Sequence, residues 1–339
     1  MVLVVFFLAM ADQLNWGILA TGGIARQFAA GLKVSKTGTL VAVGSRSQES
    51  ADSFCEKFGG KGYDSYEAVL ADPTVEAVYI ALPHHLHMEW TIKCAEAGKA
   101  ILCEKPFTLN ALEAEKALDA VKKADVFFME AFMYRCAPQT RKLVELLEAG
   151  VIGQIVQINA EFGFRVCEDW TNFRAFGALG GGGLMDVGSY CVSLCRMVAG
   201  AEPEKVAYSA IFTDRGADGS GSASMLFPGG ITAHFGTGVH VNLMNDARIY
   251  GIEGRIEIDN PWKTSIGAKM RVVKGDDVQE FDLGVSNDEL YAAEADAVAA
   301  FIEKKECPYV TLQDTMQQMR TLDRLRESAG LVFDEEMKA

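Results

Sequence analysis

Residues 14–28 read LNWGILATGGIARQF. The apolar run through Ala20 predicts a short buried strand, and the positions from Gly22 to Leu32 follow helical spacing. A strand that ends in small residues and opens directly into a helix leaves backbone amides free at the helix start, where they can cradle a pyrophosphate. The dinucleotide fingerprint Gly-x-Gly-x-x-Gly/Ala aligns here with Ala20, Gly22 and Ala25, so its first glycine is absent. Alone this is a weak motif, and an ordinary strand-to-helix turn is the alternative.

The context strengthens it. Beyond Leu32 the same alternation continues, with strands at LVAVGS, near Tyr63, at VEAVYIAL, AILCE and VFFMEA. Helices are expected between them, through Phe58, from Ser65, over His84–Ala97 and over Asn110–Ala124. The strands are continuous apolar runs, as in parallel sheets covered on both faces. Six of them in about 120 residues fit a doubly wound nucleotide fold.

After Gly150 the pattern changes to longer strands with period-two alternation. QIVQINAEFGF leads, and SASMLFPGGITAHFGTGV reads as a hairpin turned at Pro228-Gly229-Gly230. ARIYGIEGRIEI reads as another, turned near Gly254. Helices are expected at about Leu184–Ala199, Asp288–Lys304 and Leu312–Ser328. The fold class is therefore α/β: a doubly wound parallel sheet followed by an α+β domain with an open, mostly antiparallel sheet. We place the division at 11–135 and 136–339, with the last helix packing back on the first domain.

Among the 339 residues are 32 basic and 46 acidic side chains, a net charge of −14. With no local basic patch, that charge repels phosphate backbones and excludes a nucleic-acid partner. The 49% hydrophobic and 23% charged composition is that of a globular chain. The eight cysteines are scattered and contain no CxxC pair, which reads as reduced thiols in a cytoplasmic protein. Cys191 and Cys195 could share a helix face, but two thiols make no metal site, and none is expected. The first ten residues, MVLVVFFLAM, are too few to span a bilayer, which takes about 20. They also lack the basic start of a signal peptide, so they read as an extra leader and no membrane partner is expected.

Four clusters carry chemistry. Past the second strand stands Ser45-Arg46-Ser47, where an enzyme for NAD would place a carboxylate. An arginine flanked by hydroxyls can bind a 2′-phosphate, so NADP is expected over NAD; a solvated surface arginine is the alternative. In ILCEKPFTLN, Lys105 follows a parallel strand, and Pro106 pushes it out of helical geometry toward the ligand-binding edge. In GGGGLMDVGSY, Asp186 and Tyr190 are four apart on one helix face, suited to proton transfer and substrate orientation. Equally, they read as a helix-start aspartate and a core tyrosine. In LPHHLHMEW, His84 and His87 share a face and read as solvent-facing or cofactor-lining; His234 and His240 receive no role.

Together WGILATGGIA, SRS, VYIALPHHLH, AILCEKPFTLN, FFMEAFMYRCAP, GGGGLMDVGSYCV and RIYGIEGRIEIDNP resemble the Gfo/Idh/MocA oxidoreductase family over nearly the whole chain from Leu14. Within it, the branch of dihydrodiol dehydrogenases and NADP-dependent D-xylose dehydrogenases is the most similar. The resemblance implies a Rossmann domain and an NADP cofactor, with NAD possible. The cofactor's contacts fall on Ala20, Thr21, Gly22, Gly23, Ile24, Ser45, Arg46, Leu82, Pro83, His84, His87, Glu104 and Lys105. It implies hydride transfer to or from a carbinol carbon of a cyclic sugar or vicinal diol, with Lys105, Asp186 and Tyr190 catalytic and Arg174 lining the substrate. Many members carry histidine at the Tyr190 position. The resemblance also implies a homodimer or homotetramer formed through the open sheet. A cofactor-sensing regulator and a redox-assisted glycosidase of the same fold are the other activities it allows. Tyrosine as acid/base near pH 7 to 8 needs its pKa lowered by about 2 to 3 units, roughly 3 to 4 kcal/mol. An ammonium about 4 Å from the phenol supplies about 4 kcal/mol at an effective dielectric near 20. Lys105 is expected in that place.

Overall fold

The computed structural model describes residues 13–165, 173–177 and 180–333; the leader MVLVVFFLAM and Cys167 lie outside the described residues. The first sheet has strands β1 (Leu14–Leu19), β2 (Gly38–Gly44), β3 (Lys61–Tyr63), β4 (Ala77–Ile80), β5 (Ala100–Glu104) and β6 (Phe128–Ala131). All pair in parallel, in the order β3-β2-β1-β4-β5-β6. Every residue of β4, β5 and β6 is buried, because helices cover both faces. The order reverses between β1 and β4, and a sheet wound this way opens a crevice beyond its strand ends at that point.

The second sheet has eight strands: β7 (Ile155–Gly163), β8 (Lys205–Phe212), β9 (Asp218–Leu226), β10 (Thr232–Gly238), β11 (Asp246–Gly251), β12 (Gly254–Asp259), β13 (Lys269–Lys274) and β14 (Asp277–Asp282). Their order is β14-β13-β12-β11-β7-β10-β9-β8; β7 and β10 are parallel and the other pairs antiparallel. Three of these strands, β8, β13 and β14, are not among those expected from the sequence. β8 and β14 are edge strands with mostly exposed residues, and β14 holds its register by ion pairs instead of burial, Glu280 with Lys269 and Arg271.

The end of the chain returns to the first sheet. Helix Asn287–Phe301 starts with a capping box, Ser286 against Glu289, and lies on helix Gly23–Leu32 where Gly31 admits Tyr291. Its Asp296 accepts hydrogen bonds from Ser35 Oγ (2.5 Å), Thr37 Oγ1 (2.7 Å) and the amide of Lys36 (3.1 Å). Helix Leu312–Ala329 reaches the start of helix Ala111–Ala124, where Asp323 accepts from the amide of Ala111 (2.8 Å). These anchors fix the second domain against the crevice. None of the described helices is long and apolar enough to cross a membrane.

Candidate active site

One cavity of about 770 Å³ runs from the ends of β1, β2, β4 and β5 to the inner face of the second domain. On the first side, Ala20 stands where the fingerprint has glycine, and its φ of +94° is the left-handed conformation that glycine adopts without cost. The amide of Ala20 donates to the Gly44 carbonyl (3.0 Å), which holds the turn there. Gly22 then starts the helix with no side-chain cap and no acidic residue in the first turn, and a Cβ on Gly22 or Gly23 would meet nothing within 4 Å. The helix thus points uncapped amides and the positive end of its dipole into open space. Beyond β2, Ser47 is committed to capping the next helix at the Ser50 amide (3.2 Å), while Ser45 and Arg46 line the cavity. These residues suit a dinucleotide: bare amides for a pyrophosphate and a guanidinium for a 2′-phosphate.

The opposite side is charged and closely paired. Lys105, just past β5, donates from Nζ to the backbone carbonyl (2.7 Å) and Oδ1 (3.1 Å) of Asp186. Arg174 donates from Nε to Asp186 Oδ2 (2.5 Å). Leu184–Gly188 is wound as a wide π-type turn and not as the regular first turn of a helix; such turns recur at functional sites. Burial alone would raise the Asp186 carboxyl. The Lys105 ammonium and the Arg174 guanidinium outweigh it and hold that group well below the usual carboxylate range. Burial pushes His84 down to about 3, with His87 and Lys105 adding to the effect, so its ring is neutral.

Tyr190 corrects the expectation about its proton. Lys105 Nζ stands over the ring, 4.9 Å from its centroid, and the phenol donates to Met133 Sδ (3.1 Å). Phe132, Phe162 and Trp262 surround it edge-on. Burial, followed by Tyr291, Glu104 and Asp186, therefore raises the phenol well above its ordinary value; the charge of Lys105 is spent on Asp186. The group keeps its proton.

Of the residues expected from the sequence, Ala20, Thr21, Gly22, Gly23, Ile24, Ser45, Arg46, Leu82, Pro83, His84, Glu104, Lys105, Arg174, Asp186 and Tyr190 share this cavity wall. His87 does not. It is wholly buried behind the wall, with Nε2 against the Leu82 carbonyl (2.8 Å) and Nδ1 against those of Pro106 (3.1 Å) and Phe107 (3.0 Å). The histidine beside His84 on the wall is instead His85. Sequence reasoning also missed Met133, Phe162, Lys263 and Tyr291. Met133 opens the short helix Met133–Cys136 just past β6, and Phe162 lies near the end of the alternating β7, a weak signal; Lys263 and Tyr291 come from a loop and a helix with no local sign of a site.

Comparison with known proteins gives matches along most of the chain. Residues 14–132 match the family model described as "Oxidoreductase family, NAD-binding Rossmann fold", and residues 140–257 match "GFO/IDH/MocA C-terminal domain". The chain is 33% identical over 343 residues to mouse trans-1,2-dihydrobenzene-1,2-diol dehydrogenase, covering 96% of this chain and 99% of that protein. It is 32% identical to D-xylose 1-dehydrogenase (NADP(+)) 2 of Haloferax volcanii, covering 93% and 97%. Among solved structures, a 3-ketoreductase from Actinomadura kijaniata, in complex with NADP and TDP-benzene, superposes with a TM-score of 0.85 at 27% identity over 94% of this chain and 98% of that one.

Proposed function

The chain belongs to the Gfo/Idh/MocA oxidoreductase family, and on that premise we propose that it moves a hydride between NADP(H) and a carbinol carbon of a cyclic sugar or vicinal diol. The observation that carries this reading is the juxtaposition, in one cavity, of an uncapped helix start, Arg46, and the cluster of Lys105, Asp186, Arg174 and Tyr190. Ala20 to Ile24 would seat the pyrophosphate, and Ser45 with Arg46 the 2′-phosphate. The nicotinamide, when bound, supplies the hydride donor or acceptor.

The chain's own groups manage the oxygen of the reacting carbon. An ammonium has three N–H donors, and Asp186 takes two of those on Lys105, so one remains for a substrate oxygen. Thioether sulfur is a weak acceptor, so Tyr190 gives up Met133 for that oxygen at little cost. In reduction the phenol passes its proton to the nascent alkoxide and is left as phenolate; oxidation runs the same step backwards, the phenolate taking the proton of the carbinol hydroxyl, and the free N–H of Lys105 stabilises the charge on either oxygen. Asp186 orients the ammonium, and Arg174 orients Asp186. Phe162 and Phe164 offer an apolar wall to the ring face of a sugar or diol.

The exposed Ile211, Phe212 and Val278 on β8 and β14 support self-association as a homodimer or homotetramer through the second sheet. The seven described cysteines, all free thiols, support a reducing, cytoplasmic setting. The test is a panel of cyclic aldoses and vicinal diols offered with NADP and NAD in parallel, read by absorbance of the reduced nicotinamide. Turnover of at least one, faster with NADP, is expected; turnover of none would overturn the proposal.

A further inference from the structure

The peptide that follows the Lys105–Pro106 bond is held from both edges by buried titratable side chains. On one edge, the amide of Phe107 donates to Glu130 Oε1 (3.0 Å); Glu130 lies in β6, paired with Cys103 of β5, and has no exposure to solvent. On the other edge, His87 Nδ1 faces the carbonyls of Pro106 and Phe107, and its Nε2 faces the carbonyl of Leu82 at the end of β4. The Phe107 ring, itself fully buried, packs on Phe128 of β6 with centroids 4.7 Å apart. Neither Glu130 nor His87 touches the cavity. A buried carboxyl and a buried imidazole are costly in a core, and nothing in the packing of β4, β5 and β6 demands them. What they share is the backbone one residue past Lys105.

We propose that His87 and Glu130 are positioning residues for Lys105, a clamp on both edges of the Pro106–Phe107 peptide that sets where the ammonium meets Asp186. The proposal takes the role of Lys105 from the function proposed above. The physical reason is the tolerance of proton transfer and oxyanion stabilisation to distance, where a misplacement of about 1 Å costs on the order of a hundredfold. A lysine stem has four rotatable carbons, so its base must be fixed if its tip is to be.

The groups facing Glu130 are the Phe107 amide, the Cys103 thiol of β5, Asp314 and Thr315 of helix Leu312–Ala329, and Arg196 of helix Ser189–Ala199. Burial, reinforced by Asp314 and opposed by the Phe107 bond and Arg196, pushes Glu130 up to about 8. Those facing His87 are the three carbonyls and the rings of His84 and His85; burial pushes it down to about 4. In neutral solution carboxyl and imidazole are both uncharged, so His87 carries one N–H, and the clamp assigns it to Nδ1, between the Pro106 and Phe107 carbonyls. Above about pH 8 Glu130 ionises and the Phe107 amide donates to a full carboxylate, so this arm of the clamp holds more tightly.

The test uses Glu130→Leu and His87→Leu, which remove each arm, with Glu130→Gln and His87→Asn, which return an acceptor and a donor at the same places. Two quantities are read across pH: steady-state rates, and the rate of reductive methylation of Lys105 without substrate, followed by mass spectrometry. Both leucine variants are expected to lower kcat at least tenfold, with KM and the NADP Kd within threefold, and to speed Lys105 methylation at least threefold. Glu130→Gln restores kcat to within twofold below pH 8, and His87→Asn restores most of the lost rate. Leucine variants with wild-type kcat and wild-type methylation would overturn the clamp. If a leucine variant does not fold, Glu130→Gln decides, because its neutral amide oxygen accepts more weakly than a carboxylate: Lys105 methylation faster than wild type above pH 8 supports the clamp, and methylation equal to wild type at every pH counts against it. A wild-type protein that turns over no sugar or diol overturns the functional reading alone, because Lys105 methylation still reports on the clamp.

Discussion

At Gly22 and Gly23 an added Cβ would meet no atom within 4 Å, whereas at Gly182 it would collide with the Asp218 carboxylate and at Gly183 come within 2.9 Å of the Gly238 backbone. The first run lines the cavity, and the second leads into the turn that carries Asp186 to its opposite wall. The first is small because space must be left for a guest, and its backbone amides stay bare. The second is small because the protein fills the space itself: Asp218 accepts from the Leu184 amide (2.7 Å) and from the Tyr208 hydroxyl (2.6 Å), which fixes the turn that carries Asp186. One side of the cleft is kept open to bind and the other is packed tight to hold charges still.

The largest effect expected from this contrast is Gly182→Ala. Its φ of +118° adds backbone strain to the steric clash, so unfolding free energy should fall by about 2–5 kcal/mol in denaturant titration. Gly22→Ala, at a φ of −69°, should leave stability unchanged and weaken only cofactor binding. Equal losses in the two variants would erase the distinction.

The packed side leans on a titratable group and the open side does not. Burial raises Asp218 to about 6, against the partly compensating bonds from Tyr208 and Leu184. A carboxyl whose folded pKa is raised holds its proton more tightly in the folded state, so its contribution to stability declines as pH climbs from about 4 to about 6, by at most about 1.4 kcal/mol per unit. Stability measured at pH 4 and pH 7 for wild type and Asp218→Asn should show that decline in wild type minus variant. A difference that does not change with pH would contradict it.

On the open side, Arg46→Ala should weaken NADP about 10- to 100-fold in equilibrium binding, the worth of charge-assisted hydrogen bonds to a phosphate, and leave NAD unchanged. Equal loss for both cofactors would move the 2′-phosphate elsewhere. The smallest effect is Ala20→Gly, which relieves a left-handed alanine and should raise stability by about 1 kcal/mol, or about 2–4 °C in Tm for a chain of this size.

The same contrast explains what was legible in the sequence. The open side is local: strand, turn and helix lie within residues 14–32, and burial on both faces of the parallel sheet leaves continuous apolar runs that announce it. Lys105 was legible because a proline follows it at a strand end. The packed side is assembled from distant segments. Nothing in LMDVG distinguishes a π-type turn from an α-helical one, since the choice is set by Asp218 and Lys105, which reach the turn from other parts of the chain. The ionisation of Tyr190 was misjudged for a related reason: sequence shows that a lysine and a tyrosine converge, but not that an aspartate takes the lysine's charge first. His87 was assigned to the wall because its spacing from His84 puts both on one face; three carbonyls behind that face claim its ring.

The proposed function rests on an ammonium beyond β5, held by Asp186, that acts on substrate oxygen and not on cofactor affinity. Lys105→Met tests it most directly, with NADP Kd by titration and kcat on the best substrate of the panel measured on the same preparation. The account predicts a Kd within about threefold of wild type and a kcat at least about a hundredfold lower, the scale of losing a positioned proton donor. Turnover close to wild type, or a loss of cofactor binding that accounts for the whole effect, would contradict it.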